Sequence, residues 1–275
     1  MIEWRHWHNE PYLVGGLVLL GWLWAICAGP LRARLAPGAP YPRRQAWRFY
    51  AALAIFYLAV GSPLDQIGER FLFSAHMLQH FILIYLVPVL FLPGLPAWML
   101  DAALDRPALD RVLRFVLHPG ICLVLFTLVV SLWHMPYLYE WALENKVVHV
   151  IEHLMFFAAA LLYWWPMLSP SQVHPPASHA GQMLYFFVGV ITMTPLFAYI
   201  TFSHDILYPT YEYAPRLFAD FSAGEDQLLA GVSMQLMGVA VAMTAFGVAF
   251  FRWHAAGRAR DEAEETQRRE KNAGA

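Results

Sequence analysis

Cysteine and charge are both scarce in this 275-residue chain. Its two cysteines, Cys27 and Cys122, fall within apolar runs, which argues against a disulfide framework and against a thiolate metal site. Charged residues make up only 14% of the chain, and the net charge is −2. No stripe of Lys and Arg follows the chain, so the sequence excludes a nucleic-acid partner.

Apolar residues dominate the composition. They make up 59% of the chain, which is too apolar for a soluble globular domain. A helix needs about 20 mostly apolar residues to cross a bilayer. The segments that meet or approach this length are 12–29, 46–61, 72–99, 117–135, 147–166, 183–202 and 227–251. The sequence therefore predicts an all-α membrane protein, a bundle of seven transmembrane helices embedded in the lipid bilayer.

Positive charge is divided unevenly between the two sides of this predicted bundle. Fourteen of the 18 Lys and Arg residues fall on the side that holds the C-terminal tail. The other four are Arg5, Arg70, Lys146 and Arg216. Because positive charge accumulates on the cytoplasmic side, the N-terminus is predicted outside and the C-terminus in the cytoplasm. Residues 1–251 then form the seven-helix transmembrane domain, and residues 252–275 form a polar cytoplasmic tail.

Five of the 12 histidines lie near the ends of three different apolar segments. His76 and His80 form one i, i+4 pair and His149 and His153 form another, so each pair leaves one face of its helix. His134 ends the fourth segment. At about 1.5 Å per residue, the predicted topology places all five in the outer third of the membrane. Ionisable side chains in a bilayer are costly and usually functional, so we expect these five to share one metal site.

Other residues near the predicted outer ends of the segments are candidates for supporting this site. They are Asp65, Met77, Met135, Glu152, His204 and Asp226, with His6 and His8 at the N-terminus. A carboxylate can orient an imidazole N–H, and a methionine sulfur is a soft ligand for Cu(I). Three of these residues also have a plain structural interpretation. Asp65 could be a turn residue, and Met77 and Met135 could be packing residues.

Imidazole donors suit copper, zinc, iron and nickel, and a cluster without cysteine argues against structural zinc or an iron–sulfur centre. A site near the outer face would receive its metal from the extracytoplasmic side, where copper is handled. Two histidines from different helices can equally be axial ligands of haem. The spacing of the histidines leaves copper and haem both open.

Several strings along the chain form a recognisable set. They are Gly61-Ser-Pro-Leu-Asp65, Phe73-Ser-Ala-His76-Met-Leu-Gln-His80, Trp133-His134-Met-Pro136 with Tyr139, Glu152-His153, Trp164-Trp165-Pro166 and Asp226-Gln227. Together they resemble the multi-span CtaG family of cytochrome c oxidase assembly factors over residues 12–250. The last span departs from the family pattern because it has no proline near Met237.

This resemblance implies a non-enzymatic role in the maturation of a haem-copper oxidase, through delivery of copper to its catalytic subunit. The implied partners are that catalytic subunit and an extracytoplasmic copper chaperone, and the implied location is the inner (plasma) membrane of a bacterial cell. The residues alone leave two other functions open. One is a membrane oxidoreductase that holds a di-metal or haem site with His76, His80, His149 and His153. The other is a metal transporter.

Overall fold

A computed structural model describes residue 4 and residues 7–273 of the chain. The structure is 80% helical, and the described residues contain no strand. The first seven α-helices are α1 (Pro11–Ala28), α2 (Arg32–Leu35), α3 (Arg43–Gly61), α4 (Pro63–Arg70), α5 (Phe73–Phe81), α6 (Val87–Phe91) and α7 (Ala97–Leu104). The others are α8 (Pro107–Val116), α9 (Pro119–Trp133), α10 (Pro136–Glu144), α11 (Lys146–Leu168), α12 (His179–Phe202), α13 (Pro209–Glu212) and α14 (Ala223–Ala273).

The long apolar helices confirm an all-α membrane protein. Within the described residues, five helical stretches are long and apolar enough to cross a bilayer, and two bent helix pairs raise the number to as many as seven. The single stretches are Pro11–Ala28, Phe73–Gly94, Lys146–Leu168, His179–Phe202 and Ala223–Asn272. The pairs are α3 with α4, bent by 43°, and α8 with α9, bent by 67°. Each bend falls where a proline, which has no N–H to donate, begins the second helix.

The stretch Phe73–Gly94 departs from the α-helical form at two places without being interrupted. It contains a π-helical turn at Ile82–Leu86 and a 3-10 turn at Leu92–Gly94. Pro88 and Pro93 lie beside or within these turns, and a proline removes one bond of the i→i−4 ladder. The local rearrangement lets one span continue past both prolines.

A tryptophan satisfies the carbonyl that Pro88 leaves without its regular partner. In an uninterrupted α-helix, the N–H of residue 88 would bind the Ile84 carbonyl. Trp164 of α11 donates its indole N–H to that carbonyl at 3.0 Å. The bond fixes α11 against the Phe73–Gly94 span, which brings the two histidine-bearing helices together.

The main core lies between α9, α11, α12 and α14, where Phe126, Phe156, Tyr163 and Phe186 are buried. α14 packs along α12 and also contacts α5. It continues unbroken from Ala223 to Ala273, in agreement with the absence of a proline near Met237. The predicted boundary at residue 252 and the orientation of the termini stay predictions.

Candidate metal centre

The helix that carries His76 and His80 is fixed at its first turn by a residue far away in sequence. Asp226 of α14 is fully buried, and its carboxylate accepts hydrogen bonds from the backbone N–H groups of Phe73 at 2.6 Å and Ser74 at 3.1 Å. These N–H groups have no partner within the helix, so a carboxylate there stabilises the helix start. Asp226, which the sequence marks as an accessory candidate, therefore positions α5.

Close contact between α4 and α5 positions His76 further. A Cβ atom placed on Gly68 would lie 2.9 Å from the His76 Cα, so only glycine permits this approach. The Gly68 carbonyl accepts a hydrogen bond from the Tyr211 hydroxyl at 2.7 Å. The same hydroxyl lies 3.3 Å from His76 Nδ1 and 2.8 Å from the Tyr139 hydroxyl. Tyr211 therefore orients the His76 ring, with Nε2 turned away from the tyrosine.

The second histidine pair begins α11. Asn145 caps this helix, since its side-chain oxygen accepts from the N–H groups of Val147 and Val148 at 3.0 and 3.3 Å. The rings of His149 and His153 follow, with centroids 4.2 Å apart. Both side chains are buried.

The two pairs face each other across the interface between α5 and α11. The His76 ring lies 5.5 Å from the His149 ring and 6.2 Å from the His153 ring, between centroids. The His80 ring lies 5.4 Å from that of His153. Within the first pair, the Nε2 atoms of His76 and His80 are 2.8 Å apart. The structure therefore brings together both pairs that the sequence predicts to converge.

Four residues of this cluster form a compact set of ligand atoms, which we call the buried donor set. His76, His149, Glu152 and His153 each offer one atom, and these four atoms all lie within 4.8 Å of one another. Ligands of one metal ion, bound at about 2 Å, lie at most about 4 Å apart, so these atoms would have to approach one another by less than about 1 Å to share an ion. All four side chains are buried, with Glu152 and His76 fully inaccessible to solvent.

Most of the ligand atoms here have no hydrogen-bond partner in the described part of the chain. They include Nε2 of His149, Nε2 of His153 and both carboxylate oxygens of Glu152. Glu152 oxygens lie 3.9 Å from His80 Nε2 and 3.9 Å from His149 Nε2. An unsatisfied buried polar group costs about 1–3 kcal/mol, so several converging on one point fit a bound cation.

His134 lies beside the buried donor set and points to a different neighbour. Its Nδ1 donates to the Val130 carbonyl at 2.7 Å, and its Nε2 lies 3.3 Å from the Met77 sulfur. Its ring centroid is 6.0 Å from that of His80. His134 and Met77 thus extend the cluster with an imidazole–thioether pair, a soft combination of the kind that suits Cu(I).

The remaining candidates lie in different surroundings. Asp65 is 1% exposed and accepts a hydrogen bond from the Gln79 amide at 2.6 Å. His8 Nε2 lies 3.3 Å from the second oxygen of Asp65. Met135 is 55% exposed and His204 is also exposed, so both lie at the surface. His6 lies outside the described residues.

Sequence reasoning missed Glu69. Its Oε1 lies 2.6 Å from His149 Nδ1, an arrangement that turns His149 Nε2 towards the buried donor set. Glu69 lies on the short polar helix α4, outside the apolar segments that the sequence predicts to cross the bilayer. Its i, i+4 spacing from Asp65 was the available signal, because that spacing places both carboxylates on one helix face.

The comparisons with known proteins agree with the motif resemblance. The family described as cytochrome c oxidase caa3 assembly factor (Caa3_CtaG) matches residues 22–256, a range that contains the whole buried donor set. Neither a search of curated proteins nor a search of solved structures finds a match. Since the matched range covers most of the chain, this protein belongs to the cytochrome c oxidase caa3 assembly factor family.

Proposed function

We propose that this assembly factor binds copper in transit and delivers it to the copper centre of a haem-copper oxidase catalytic subunit, without catalysing a reaction itself. Membership of the family supports a role in the assembly of an oxidase. The observation that carries the copper step is the buried donor set, in which three imidazoles and one carboxylate converge with most ligand atoms unpartnered.

The chemistry of the donors favours copper as cargo. Imidazole binds copper well, and the cluster adds the soft His134–Met77 pair beside it. A cavity of about 440 Å³ borders His149 and His153. A structural metal is held in a closed site, whereas a transported ion needs a path by which it can arrive and leave. This cavity reaches the donor set, and its mostly apolar lining includes Asp65, Lys146, His149 and His153, which supports access of an ion from this side.

A single ion fits this geometry better than haem. Axial ligands of haem lie on opposite faces of a flat macrocycle. The Nε2 atoms of His76 and His80 are 2.8 Å apart, so these two cannot lie on opposite faces of a macrocycle. Between helices, the ligand atoms of His76, His149 and His153 converge with that of Glu152 within 4.8 Å, as the donors to a single ion do. A membrane oxidoreductase built on a haem between these residues is therefore less well supported than a copper carrier.

The proposed partners follow from this role. The oxidase catalytic subunit would meet the bundle within the plane of the bacterial plasma membrane, and an extracytoplasmic copper chaperone would supply the ion. The predicted orientation, with the N-terminus outside, places the histidine end of α5 and α11 on the side of that chaperone.

Elemental analysis of the purified protein tests the copper step. Wild-type protein exposed to Cu(I) and desalted should retain copper, whereas the His76→Ala/His153→Ala variant should retain almost none. His174→Ala is the matched control, because His174 is a buried histidine outside the donor set. In the host, the double variant should leave the oxidase catalytic subunit present but deficient in copper during copper-limited growth. Equal copper in wild type and double variant, with full oxidase activity, would refute copper delivery and leave a scaffolding role.

A further inference from the structure

We propose that a second group of residues, next to the buried donor set, captures the metal ion first and passes it inward. This group, the carboxylate cluster, consists of His8, Asp65 and Glu69, and it shares His149 with the buried donor set. Lys146 is the internal cation that the incoming metal displaces. The inference rests on the proposed function, since it describes how the copper site is loaded.

The ligand atoms of the carboxylate cluster are already close together. Asp65, Glu69 and His149 offer atoms that all lie within 4.8 Å of one another. Gln79 holds one oxygen of Asp65 at 2.6 Å, while the other oxygen, Oδ2, accepts no hydrogen bond in the described part of the chain. Asp65 is 1% exposed, so this is a buried, oriented carboxylate with one oxygen available for a ligand.

His8 adds an imidazole to the two carboxylates. Its Nε2 lies 3.3 Å from Asp65 Oδ2, and its Nδ1 lies 2.9 Å from a carboxylate oxygen of Glu10. The imidazoles of His8 and His149 are donors that suit copper and make this more than an acidic patch. With Glu10 nearby, three carboxylates surround a single lysine, and this excess of negative charge attracts cations.

Lys146 interacts with both carboxylates of the cluster. Its Nζ lies 3.6 Å from Asp65 Oδ2 and 3.3 Å from Glu69 Oε1. The lysine side chain is 43% exposed, whereas Asp65 is buried. An ammonium group on a flexible stem, at the open side of one buried and one half-buried carboxylate, is a cation that a metal ion can replace.

His149 connects the two groups of donors. Its Nδ1 faces Glu69 at 2.6 Å, and its Nε2 faces Glu152 of the buried donor set at 3.9 Å. The cavity of about 440 Å³ is lined by Asp65, Lys146, His149 and His153, so it borders both groups. An ion held by the carboxylate cluster therefore lies one ligand exchange away from the buried donor set.

A plain ion-pair network is the competing interpretation, in which Lys146 only fastens α11 to α4. The two interpretations predict opposite results for Lys146→Gln. Loss of a fastening ion pair lowers stability and gives no faster metal uptake. Loss of a competing cation raises the rate of metal uptake, because the carboxylates are then free.

Loading kinetics of the full-length protein in detergent micelles test the proposal. Cu(I) is presented as its coloured bicinchoninate complex, and the loss of colour reports transfer to the protein. Asp65→Asn, which leaves the Glu69–His149 contact in place, should load about tenfold more slowly than wild type and reach the same final copper content. Lys146→Gln should load several-fold faster than wild type. Glu212→Gln, which alters an exposed carboxylate outside the cluster, should load at the wild-type rate.

Wild-type loading rates in both cluster variants would overturn the proposal, as would a slower rate in Lys146→Gln, and copper delivery would stand in either case. If the wild type takes up no more Cu(I) than the His76→Ala/His153→Ala variant does, the proposed function fails. The His76→Ala/His153→Ala variant then examines the carboxylate cluster alone. Weak Cu(I) uptake that disappears when Asp65→Asn and Glu69→Gln are added supports the cluster, and no uptake in either variant overturns it.

Discussion

The two halves of α11 are both buried, yet only the N-terminal half gathers several unpartnered polar atoms. In the C-terminal half, Nε1 of Trp165 is the single such side-chain atom among the described residues. In the N-terminal half, His149, Glu152 and His153 bring ligand atoms together that have no hydrogen-bond partner in the described residues. In the C-terminal half, the Trp164 indole donates to the Ile84 carbonyl at 3.0 Å and its ring packs in the main aromatic core. We therefore expect the same helix to carry metal ligands at one end and to act as a packing element at the other.

This difference means that the residues of α11 expected to stabilise the fold are separate from those expected to bind metal. Leaving buried polar groups unsatisfied costs about 1–3 kcal/mol each, a cost that a bound ligand can offset. The packed half supplies the rigidity that keeps the ligand atoms in place. Substitutions in the packed half should therefore lower stability with little effect on copper, and substitutions in the ligand half should do the reverse.

The largest effect on stability is expected from Phe186→Ala. Phe186 is fully buried, with its ring 5.7 Å from that of Tyr163 and 5.6 Å from that of Trp164. Truncation of such a ring should lower the free energy of unfolding by about 3–5 kcal/mol. Unfolding in detergent measures this change, and elemental analysis should find unchanged copper per folded chain. Loss of copper from chains that remain folded would contradict the claim that the packed region affects stability alone.

His153→Leu should show the opposite behaviour. The substitution removes one member of the buried donor set, and we expect copper affinity to fall by at least about 100-fold, measured by competition with a Cu(I) chelator. Stability should stay the same or rise, because an apolar group of similar volume replaces a polar atom without a partner. A large loss of stability would show that His153 is a packing residue.

Hydropathy was sufficient to predict the fold class, because crossing a bilayer demands long apolar helices. The predicted segment 72–99 corresponds to the observed stretch Phe73–Gly94, although its π-helical turn depends on a partner from α11. The bends between α3 and α4 and between α8 and α9 were not predicted. They depend on how the shorter helix of each pair, α4 or α8, docks, which residue periodicity does not encode.

Likewise, some residues of the candidate site could be predicted from the sequence and others could not. The i, i+4 spacing placed each histidine pair on one helix face, and the structure brings the pairs together. Met135 could not be placed in this way, because it caps α10 in a connection whose side-chain direction has no helical period. Glu69 was missed because its role depends on contact between α4 and α11. Such contacts between elements are a property of the fold and leave little trace in local sequence.

Tyr211→Phe should give an intermediate effect that sharpens the comparison. It removes the hydroxyl that lies 3.3 Å from His76 Nδ1 and donates to Gly68. Copper affinity should fall by about tenfold, because a freed imidazole is less well oriented. Tyr208→Phe is the matched control, since its hydroxyl donates to the His134 backbone carbonyl rather than to a ligand ring. Equal copper affinity in the two variants would contradict an orienting role for Tyr211.

The smallest effect is expected from His204→Ala. The sequence marks His204 as an accessory residue of the metal site, but its side chain is exposed in the loop after α12, whereas the four members of the buried donor set are inaccessible. Exposed substitutions of this kind usually change stability by less than about 0.5 kcal/mol. Copper affinity and loading rate should both match wild type in the bicinchoninate assay. A loss of affinity comparable to that of Tyr211→Phe would instead mean that this loop closes over the site when copper is bound. Copper binding would then depend on a surface loop as well as on the N-terminal half of α11.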